Sequence, residues 1–194
     1  MKSPLKLVSL RLSVLAIVCV FVSSGASAWA GALETYLSGK TIDLTNPTAA
    51  KTKLTAITPT VGYPSTLSLT RSQTIDGKLN SVVVLNLTDL VLSKDVVLTL
   101  KSTNPNAVFI INVKRNFSLN SARIALQGVM QGNVLYNYVG SGAPSITGTS
   151  KLTGTLLSTT STLVSGNSVV SGSVVGAAPK TSGTGFVAPS VASR

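Results

Sequence analysis

The sequence predicts a mainly β fold: a single-domain β-solenoid (β-helix) with a short N-terminal cap or flanking helix. Three observations favour it. A six-residue repeat runs through the C-terminal part of the chain, short runs of alternating apolar and polar residues precede it, and helix-like spacing is confined to a short N-terminal region. The two strand-like patterns cover most of the chain, so the helical part is expected to flank them.

The first thirty residues have the parts of a secretory signal peptide. A basic start, "MKSPLKLVSLR", is followed by an apolar run over residues 12–22 and by small residues around Ala28 and Ala30. Cleavage after either alanine fits these small residues. The apolar run is shorter than the roughly 20 residues of a membrane span. We therefore expect a secreted or cell-surface associated protein, with no stable membrane span after signal cleavage.

The cysteine content and the charge of the sequence further limit the class of protein and the partners to be expected. The one cysteine, Cys19, lies in the signal region, so the mature chain would contain no disulfide and must rely on its core. Thirteen basic residues outside the signal oppose five acids, and only Lys114 and Arg115 are adjacent. No basic stripe with interleaved aromatics is present, so nucleic acid is not expected as a partner. The basic excess suits solubility and weak attraction to anionic polymers.

Residues 31–80 are expected to cap or flank the solenoid, since a solenoid must cover its terminal strand edges. "GALETYLSG" is compatible with one or two helical turns that place Leu33, Tyr36 and Leu37 on one side. A short helix is also predicted between Pro47 and Pro59. This region is expected to contribute cover, not the repeating core.

Short alternating runs begin at residue 81. "VLNLT", "VLTLK" and "FSLNS" place aliphatic or aromatic side chains on one side and polar side chains on the other, as half-buried strands do. "AVFIINV" and "GNVLYNYV" are apolar almost throughout, which predicts strands covered on both faces. No later segment has a helical period.

From Ser141 the chain divides into six-residue blocks: SGAPSI, TGTSKL, TGTLLS, TTSTLV, SGNSVV and SGSVVG. Each begins with Ser or Thr, and most carry Gly second and aliphatic residues at the end. If each block forms one side of a three-sided coil, stacking the turns buries a column of aliphatic side chains. Before Ser141 this register is lost, and longer turns are expected.

These patterns assign residues 1–30 to the signal peptide, 31–80 to the cap, 81–177 to the solenoid and 178–194 to a flexible tail. Replacing Leu163 with Asp is expected to unfold the protein, because burial of such a side chain contributes roughly 1.5–3 kcal/mol. The predicted core consists of Phe109, Ile111, Val113, Ile124, Leu126, Val134, Leu157, Leu163 and Val169.

The residues for common catalytic sites are missing from the sequence. It contains no histidine, which excludes a Ser-His-Asp triad, a Cys-His pair and the histidine base that solenoid acyltransferases share. Zinc sites of His and Cys are excluded for the same reason. Asp89 and Asp95 are the nearest carboxylates, and turn formation and solvation are their expected roles. We therefore predict no enzyme, no cofactor and no metal site.

Four segments resemble the successive motifs of the choice-of-anchor A family of secreted bacterial surface proteins: "NAVFIINV", "GNVLYNYVGSG", "LTGTLLS" and "VSGSVVGA". The resemblance implies a β-solenoid exported to the cell surface and an adhesin role. Ser158 and Thr159 stand where that family usually has Ala-Pro, and no sortase motif or hydrophobic anchor is present. The pattern is also similar to that of the microbial ice-binding (antifreeze) family, right-handed solenoids with a flanking helix.

Function is predicted at a Ser/Thr-rich face. The candidate binding residues are Thr147, Thr149, Thr153, Thr155, Ser165 and Ser171. In a coil of about 18 residues per turn, Thr147 is expected to stack on Ser165, and Thr153 on Ser171, which gives a mixed Ser/Thr surface with Lys151 beside it. The leading hypothesis is adhesion to an extracellular surface, matrix polymer or anionic polysaccharide. The alternative is ice binding through a flat Thr/Ser face.

Overall fold

The computed structural model describes residues 31–189, and the side chains of residues 31–185. The predicted signal peptide and the end of the predicted tail lie outside this range. Two helices, α1 (Ala32–Gly39) and α2 (Pro47–Thr55), precede all strands. The strands are β1 (Leu67–Leu69), β2 (Gln73–Asp76), β3 (Val82–Leu92), β4 (Val97–Lys101), β5 (Val108–Asn120), β6 (Arg123–Gln127), β7 (Val134–Tyr138), β8 (Ser145–Thr147), β9 (Lys151–Ser158), β10 (Leu163–Gly166), β11 (Val169–Gly176), β12 (Lys180–Gly183) and β13 (Phe186–Pro189).

The two helices confirm the helical spacing read in the N-terminal region. Helix α1 buries Leu33 and Leu37, which are one helical turn apart and therefore share one face. Helix α2 begins at Pro47, a favoured first residue, and the side chain of Asn46 accepts a hydrogen bond from the Ala49 amide at 3.2 Å. Local sequence thus determines where α2 starts.

The thirteen strands belong to one sheet, and the pairs formed by the described residues are parallel. The strand segments stack in three columns, which we call the helix-side file, the face 1 file and the face 2 file. The chain runs through the three columns in turn, and each such circuit is one pass. The helix-side file contains residues 82–87, 108–113, 134–138, 155–158 and 173–176. The face 1 file contains residues 67–69, 90–92, 117–120, 145–147, 163–166 and 180–183. The face 2 file contains residues 73–76, 97–101, 123–127, 151–154, 169–172 and 186–189.

The length of one pass changes along the chain, as the sequence predicted. Ser118 pairs with Ser145, and Ser145 pairs in turn with Leu163, which is a shorter step along the chain. Thr155 and Ser173, which are partners in the helix-side file, are separated by 18 positions. Three six-residue blocks therefore make up one pass in the C-terminal part, and the earlier passes are longer.

Side chains from all three files meet in one hydrophobic core. At its centre the ring of Phe117 lies edge-on to Tyr136, with 5.9 Å between ring centroids, and also to Tyr138, at 6.5 Å. The Tyr136 hydroxyl donates to the Thr153 carbonyl at 3.1 Å, and the Tyr138 hydroxyl donates to the Arg115 carbonyl at 2.9 Å. The buried phenols are thus satisfied by main-chain acceptors, as buried polar groups must be.

Six of the nine predicted core residues are fully buried, but three are not. Leu126 is half-buried but packs against the core, Val169 is half-buried, and Leu163 is 38% exposed. Leu157 is buried beneath the two helices and not in this core. In the blocks that form faces 1 and 2 of the last passes, the final residue points inward, as Val164 and Val170 show with 0% exposure. The prediction that Leu163→Asp unfolds the protein is therefore corrected, because successive side chains of a strand point to opposite faces.

The paired strands extend beyond the predicted solenoid limits of residues 81 and 177. Strands β1 and β2 lie within the predicted cap, and each forms a parallel pair with a later strand. Strands β12 and β13 lie within the predicted flexible tail and pair with β10 and β11. Gly-rich, polar composition concealed these last strands, because it is also typical of linkers.

The outer side of the helix-side file is covered by α1 and α2 in a second hydrophobic cluster, where Leu33 and Leu54 meet Ile110, Leu135 and Leu157. "AVFIINV" and "GNVLYNYV" are consequently buried on both sides in β5 and β7, as predicted. The helices leave faces 1 and 2 as the sheet surfaces with accessible side chains.

Candidate binding faces

Face 2 presents rows of short polar side chains that run across successive strands. Thr74 pairs with Thr99, and Thr153 pairs with Ser171. Neighbouring strands lie about 4.8 Å apart, so each row has regular spacing. Thr99, Thr153 and Ser171 are half-buried and Thr74 is exposed. Such a row offers hydroxyl groups at the surface without long, mobile side chains.

Face 1 has two rows. One continues from Ser118 to Ser145 and then to Leu163 and Lys180. In the other, Asn120 pairs with Thr147. Ile146 pairs with Val164, so Ser165 follows beside Thr147, and Ser165 itself pairs with Ser182. The stacking predicted for Thr147 and Ser165 agrees with this register.

The structure divides the six predicted binding residues instead of placing them on one face: Thr147 and Ser165 lie on face 1, and Thr153 and Ser171 lie on face 2. Thr149 is exposed in the turn between β8 and β9, at the boundary between the two faces. Thr155 is only 3% exposed, and its hydroxyl lies 3.2 Å from that of Ser173. Thr155 belongs to the helix-side file, because the corner at Gly154 turns the chain away from face 2. The prediction that Thr155 belongs to the binding face is therefore corrected, because its side chain is not accessible to a large ligand.

Gly154 and Gly172 form this corner in two successive passes. Their φ angles are 126° and 142°, and a Cβ at Gly172 would collide with the carbonyl oxygen of Gly154. Side chains at either position would be strained. Glycine is thus required at the second position of these blocks. The corner that it forms aligns Thr153 with Ser171.

Sequence reasoning missed the part of both faces that precedes Ser141. Ser118 and Asn120 extend the face 1 rows found in the six-residue blocks, whereas Thr74 and Thr99 form a separate polar pair on face 2, which Ala125 divides from Thr153. The outward positions of "VLTLK" and "FSLNS" carried this signal. They were not aligned with the later blocks because the long connections between passes differ in length.

Asp89 forms an ion-pair network at the corner between the helix-side file and face 1. Arg115 donates to its carboxylate through Nε at 3.0 Å and Nη2 at 2.7 Å, and Asn116 donates at 2.6 Å. The Arg115 hydrogen bond is the main cause that lowers the Asp89 pKa, while burial opposes it. Asp89 is thus a structural anchor, which corrects its predicted turn role. Asp95 does lie in a turn, with φ 63°.

Among the described residues, no three His, Cys, Asp or Glu side chains cluster to hold a metal ion. The helices found in residues 31–189 are too short or too polar to cross a membrane. These observations concern that range alone. The accessible chemistry of the two faces consists of hydroxyls, amides and a few basic groups.

The comparison with protein families gave a match that covers most of the chain. Residues 15–186 match the family described as "Putative Ice-binding-like adhesive domain". No curated protein and no solved structure matched the chain. The match supports the ice-binding-like relation noted in the sequence. The relation to the choice-of-anchor A family stays a prediction.

Proposed function

The chain belongs to the ice-binding-like adhesive domain family, and from this premise we propose that it is a non-enzymatic adhesion protein acting at the cell surface or in the extracellular matrix. Its ligand is a surface or matrix polymer. Adhesion uses the Ser/Thr rows of faces 1 and 2, while the helix-side file is reserved for internal packing. Secretion by the predicted signal peptide, and the absence of catalysis, are parts of the same proposal.

We further propose that the stacked passes form a β-solenoid. Three observations support this architecture. Each pass pairs in parallel with the pass before it, the three files surround one core, and the helices cover one side. A solenoid holds outward side chains in straight rows, because each pass repeats the position of the one before it. Adhesion through such a surface spreads the contact over many weak groups.

The observation that carries the adhesion proposal is the in-register pairing of small polar side chains on faces without a helix cover. Thr153 and Ser171 are paired on face 2, and Ser118 and Ser145 on face 1. A hydroxyl can donate and accept a hydrogen bond. The Ser171 hydroxyl already donates to Gln131 Oε1 at 3.1 Å, so toward a ligand it remains an acceptor. Regular hydroxyl rows therefore suit a repeating, hydroxyl-bearing ligand such as a polysaccharide.

Adhesion is tested by measuring the attachment of the purified protein to bacterial cells and to polysaccharide-coated surfaces. The double variant Thr153→Tyr/Ser171→Tyr adds bulk to face 2 and is expected to weaken attachment. Asn106→Tyr is the matched control, because Asn106 is exposed in the loop between β4 and β5, away from both rows. Circular dichroism checks folding. Absence of attachment to every surface, or unchanged attachment of the double variant, contradicts the proposal.

Ice binding is the second candidate, and the regular spacing of the rows favours it. An ice-binding surface must be flat and repetitive, which rows about 4.8 Å apart provide. Arg123 and Lys151, however, are exposed at the margin of face 2, where long charged side chains interrupt flatness. This arrangement favours adhesion.

Freezing hysteresis and ice recrystallisation with the purified protein distinguish the two candidates. Activity that falls in the Thr153→Tyr variant supports ice binding and contradicts our first choice. If the protein shows neither activity at high concentration, ice binding is excluded. Thr155 is unsuitable as a probe because its side chain is buried.

A further inference from the structure

The boundary between faces 1 and 2 carries one basic residue on each of four successive passes: Arg71, Lys94, Arg123 and Lys151. We call these four residues the basic edge. All four are exposed. Arg71 and Lys94 precede β2 and β4, while Arg123 and Lys151 are the first residues of β6 and β9. The four residues thus follow the boundary from pass to pass, and only Arg123 and Lys151 are in direct strand register.

Arg123 and Lys151 are direct partners in the parallel register. Their backbones are therefore about 4.8 Å apart, and both side chains point away from the core. Like charges directly opposite each other destabilise a sheet. The chain contains only 11% charged residues, yet it stacks two cations at this point.

No acidic side chain neutralises this pair within the described part of the chain. The ion pairs found there join Lys101 to Asp76 and Arg115 to Asp89, and they leave the basic edge out. Asp95 lies in the turn after Lys94 and is the one acid of this boundary. Four cations against one carboxylate leave the edge positive, so an anion is the ligand that would relieve the repulsion.

The neighbours of the basic edge indicate which kind of anion fits. Asn120 and Thr147 form a polar row on the face 1 side, and Thr153 and Ser171 form one on the face 2 side. These groups can hydrogen-bond sugar hydroxyls. The large apolar side chains exposed among residues 31–185 are not aromatic, so these residues provide no stacking platform of the kind that single-stranded nucleic acid binders use.

We propose that the basic edge binds an anionic polysaccharide, with its carboxylate or sulfate groups against Arg123 and Lys151 and its hydroxyls against the flanking polar rows. The polysaccharide chain lies along the stack of passes. This inference rests on the proposed adhesive function and specifies the ligand class and the residues. It predicts that attachment depends on local charge and falls with added salt, which screens exposed charges.

The test measures binding of the purified protein to polygalacturonate by isothermal titration calorimetry, with neutral dextran and single-stranded DNA as comparisons. The variant Arg123→Gln/Lys151→Gln removes the paired cations. Lys40→Gln/Lys114→Gln is the matched control, because it removes the same net charge from exposed positions outside the basic edge. Affinity for polygalacturonate is expected to fall about tenfold in the first variant, since two exposed charge contacts are lost. The control is expected to retain affinity within about twofold.

Each other outcome overturns the inference in a distinguishable way. Equal weakening in both variants indicates general charge attraction without a site. Equal binding of dextran and polygalacturonate leaves adhesion intact but removes the role of the basic edge. Stronger binding of DNA assigns the edge to nucleic acid instead. If no polymer and no cell surface is bound, the adhesive function fails together with this inference.

Discussion

At the scale of single residues, orientation within β10 separates the core from the surface. Val164 has 0% exposure and lies in the core with Ile146 and Val170, whereas its neighbour Leu163 is 38% exposed on face 1. The two residues are chemically similar, so their hydrophobicity does not distinguish them. The pleat of the strand distinguishes them, because adjacent side chains of a strand point to opposite sides.

Val164→Asp is expected to unfold the protein, and Leu163→Asp is expected to leave it folded. The first change loses about 1.5–3 kcal/mol of apolar burial and adds the larger cost of burying a carboxylate. The second places a charge where water reaches it. Thermal unfolding followed by circular dichroism measures both. Similar unfolding temperatures for the two variants would show that the orientation of β10 is wrong.

The charge state of Asp89 matters to the structure, since Arg115 and Asn116 both donate to its carboxylate. Its lowered pKa means that folding favours the charged form. The stabilisation is therefore complete above the ordinary value of 3.8 and is lost as pH falls through the lower folded-state pKa. Below that pKa the charge-dependent part of this stabilisation is lost.

Asp89→Asn is expected to lower the unfolding temperature at neutral pH, and its difference from the wild type is expected to shrink as the pH falls below 3.8. The variant lacks the charge that Arg115 pairs with, and the wild-type carboxylate loses the same charge as it is protonated. Asp95→Asn is the control, because Asp95 forms no ion pair with the described residues. Calorimetry across this pH range measures the difference. A difference that persists unchanged to low pH contradicts the role of this network.

At the scale of elements, a row of three asparagines attaches helix α2 to the sheet. Asn86, Asn112 and Asn137 are in register, and each of the later two donates to the one before it at 2.7 Å. Asn112 also donates to the Leu54 carbonyl at 3.1 Å, and Asn137 to the Lys51 carbonyl at 3.2 Å. The two carbonyls also accept from other groups, Leu54 from the Ile57 amide at 3.3 Å and Lys51 from the Thr55 hydroxyl at 2.7 Å, so the asparagine bonds are additional links between α2 and the sheet.

Asn112→Ala is expected to destabilise the fold by about 1–3 kcal/mol, because it leaves polar groups of Asn86 and Asn137 without their partner. Faster hydrogen exchange in α2 should accompany it. Asn120→Ala is the matched control in the same strand, since Asn120 is exposed. Denaturant unfolding gives the free energy, and mass spectrometry gives the exchange. Unchanged exchange in α2 would show that apolar contacts alone hold the helix.

Elements that depend on local pattern were predictable from the sequence, and those that depend on distant contacts were not. Asn46 and Pro47 marked the start of α2, and the three-block pass followed from the spacing of blocks such as that ending at Val164. The buried location of Thr155 was not predictable, because it depends on the corner at Gly154 and on helices far earlier in the chain. The basic edge was not predictable either, since Arg123 and Lys151 become neighbours only when strands β6 and β9 pair.

At the scale of the whole molecule, the stack is strongest in its middle and weakest at its C-terminal end. Strand β5 pairs with β3, β7 and β8, and residues in its first half are buried throughout. Strand β12 pairs with β10 alone among the described strands, and all four of its residues are exposed. Repeat structures gain stability from contacts between neighbouring repeats, so an end pass with one neighbour is weaker.

Hydrogen exchange is therefore expected to be slowest in β5, intermediate in β10 and fastest in β12. Amides open locally at low cost where few apolar groups are buried and one strand edge is free. Strand β1 provides an internal control: it also pairs with one strand, β3, but its Leu67 is 1% exposed in the core, where Tyr63 packs nearby. Residues 67–69 should thus exchange more slowly than residues 180–183. Mass spectrometry of native-state exchange measures these rates, and equal protection of β10 and β12 would show that the last pass is stabilised by contacts beyond the strand pairs described. Because faces 1 and 2 both include this last pass, its looseness also predicts that adhesion relies on the inner passes, where Arg123, Lys151 and Thr153 lie.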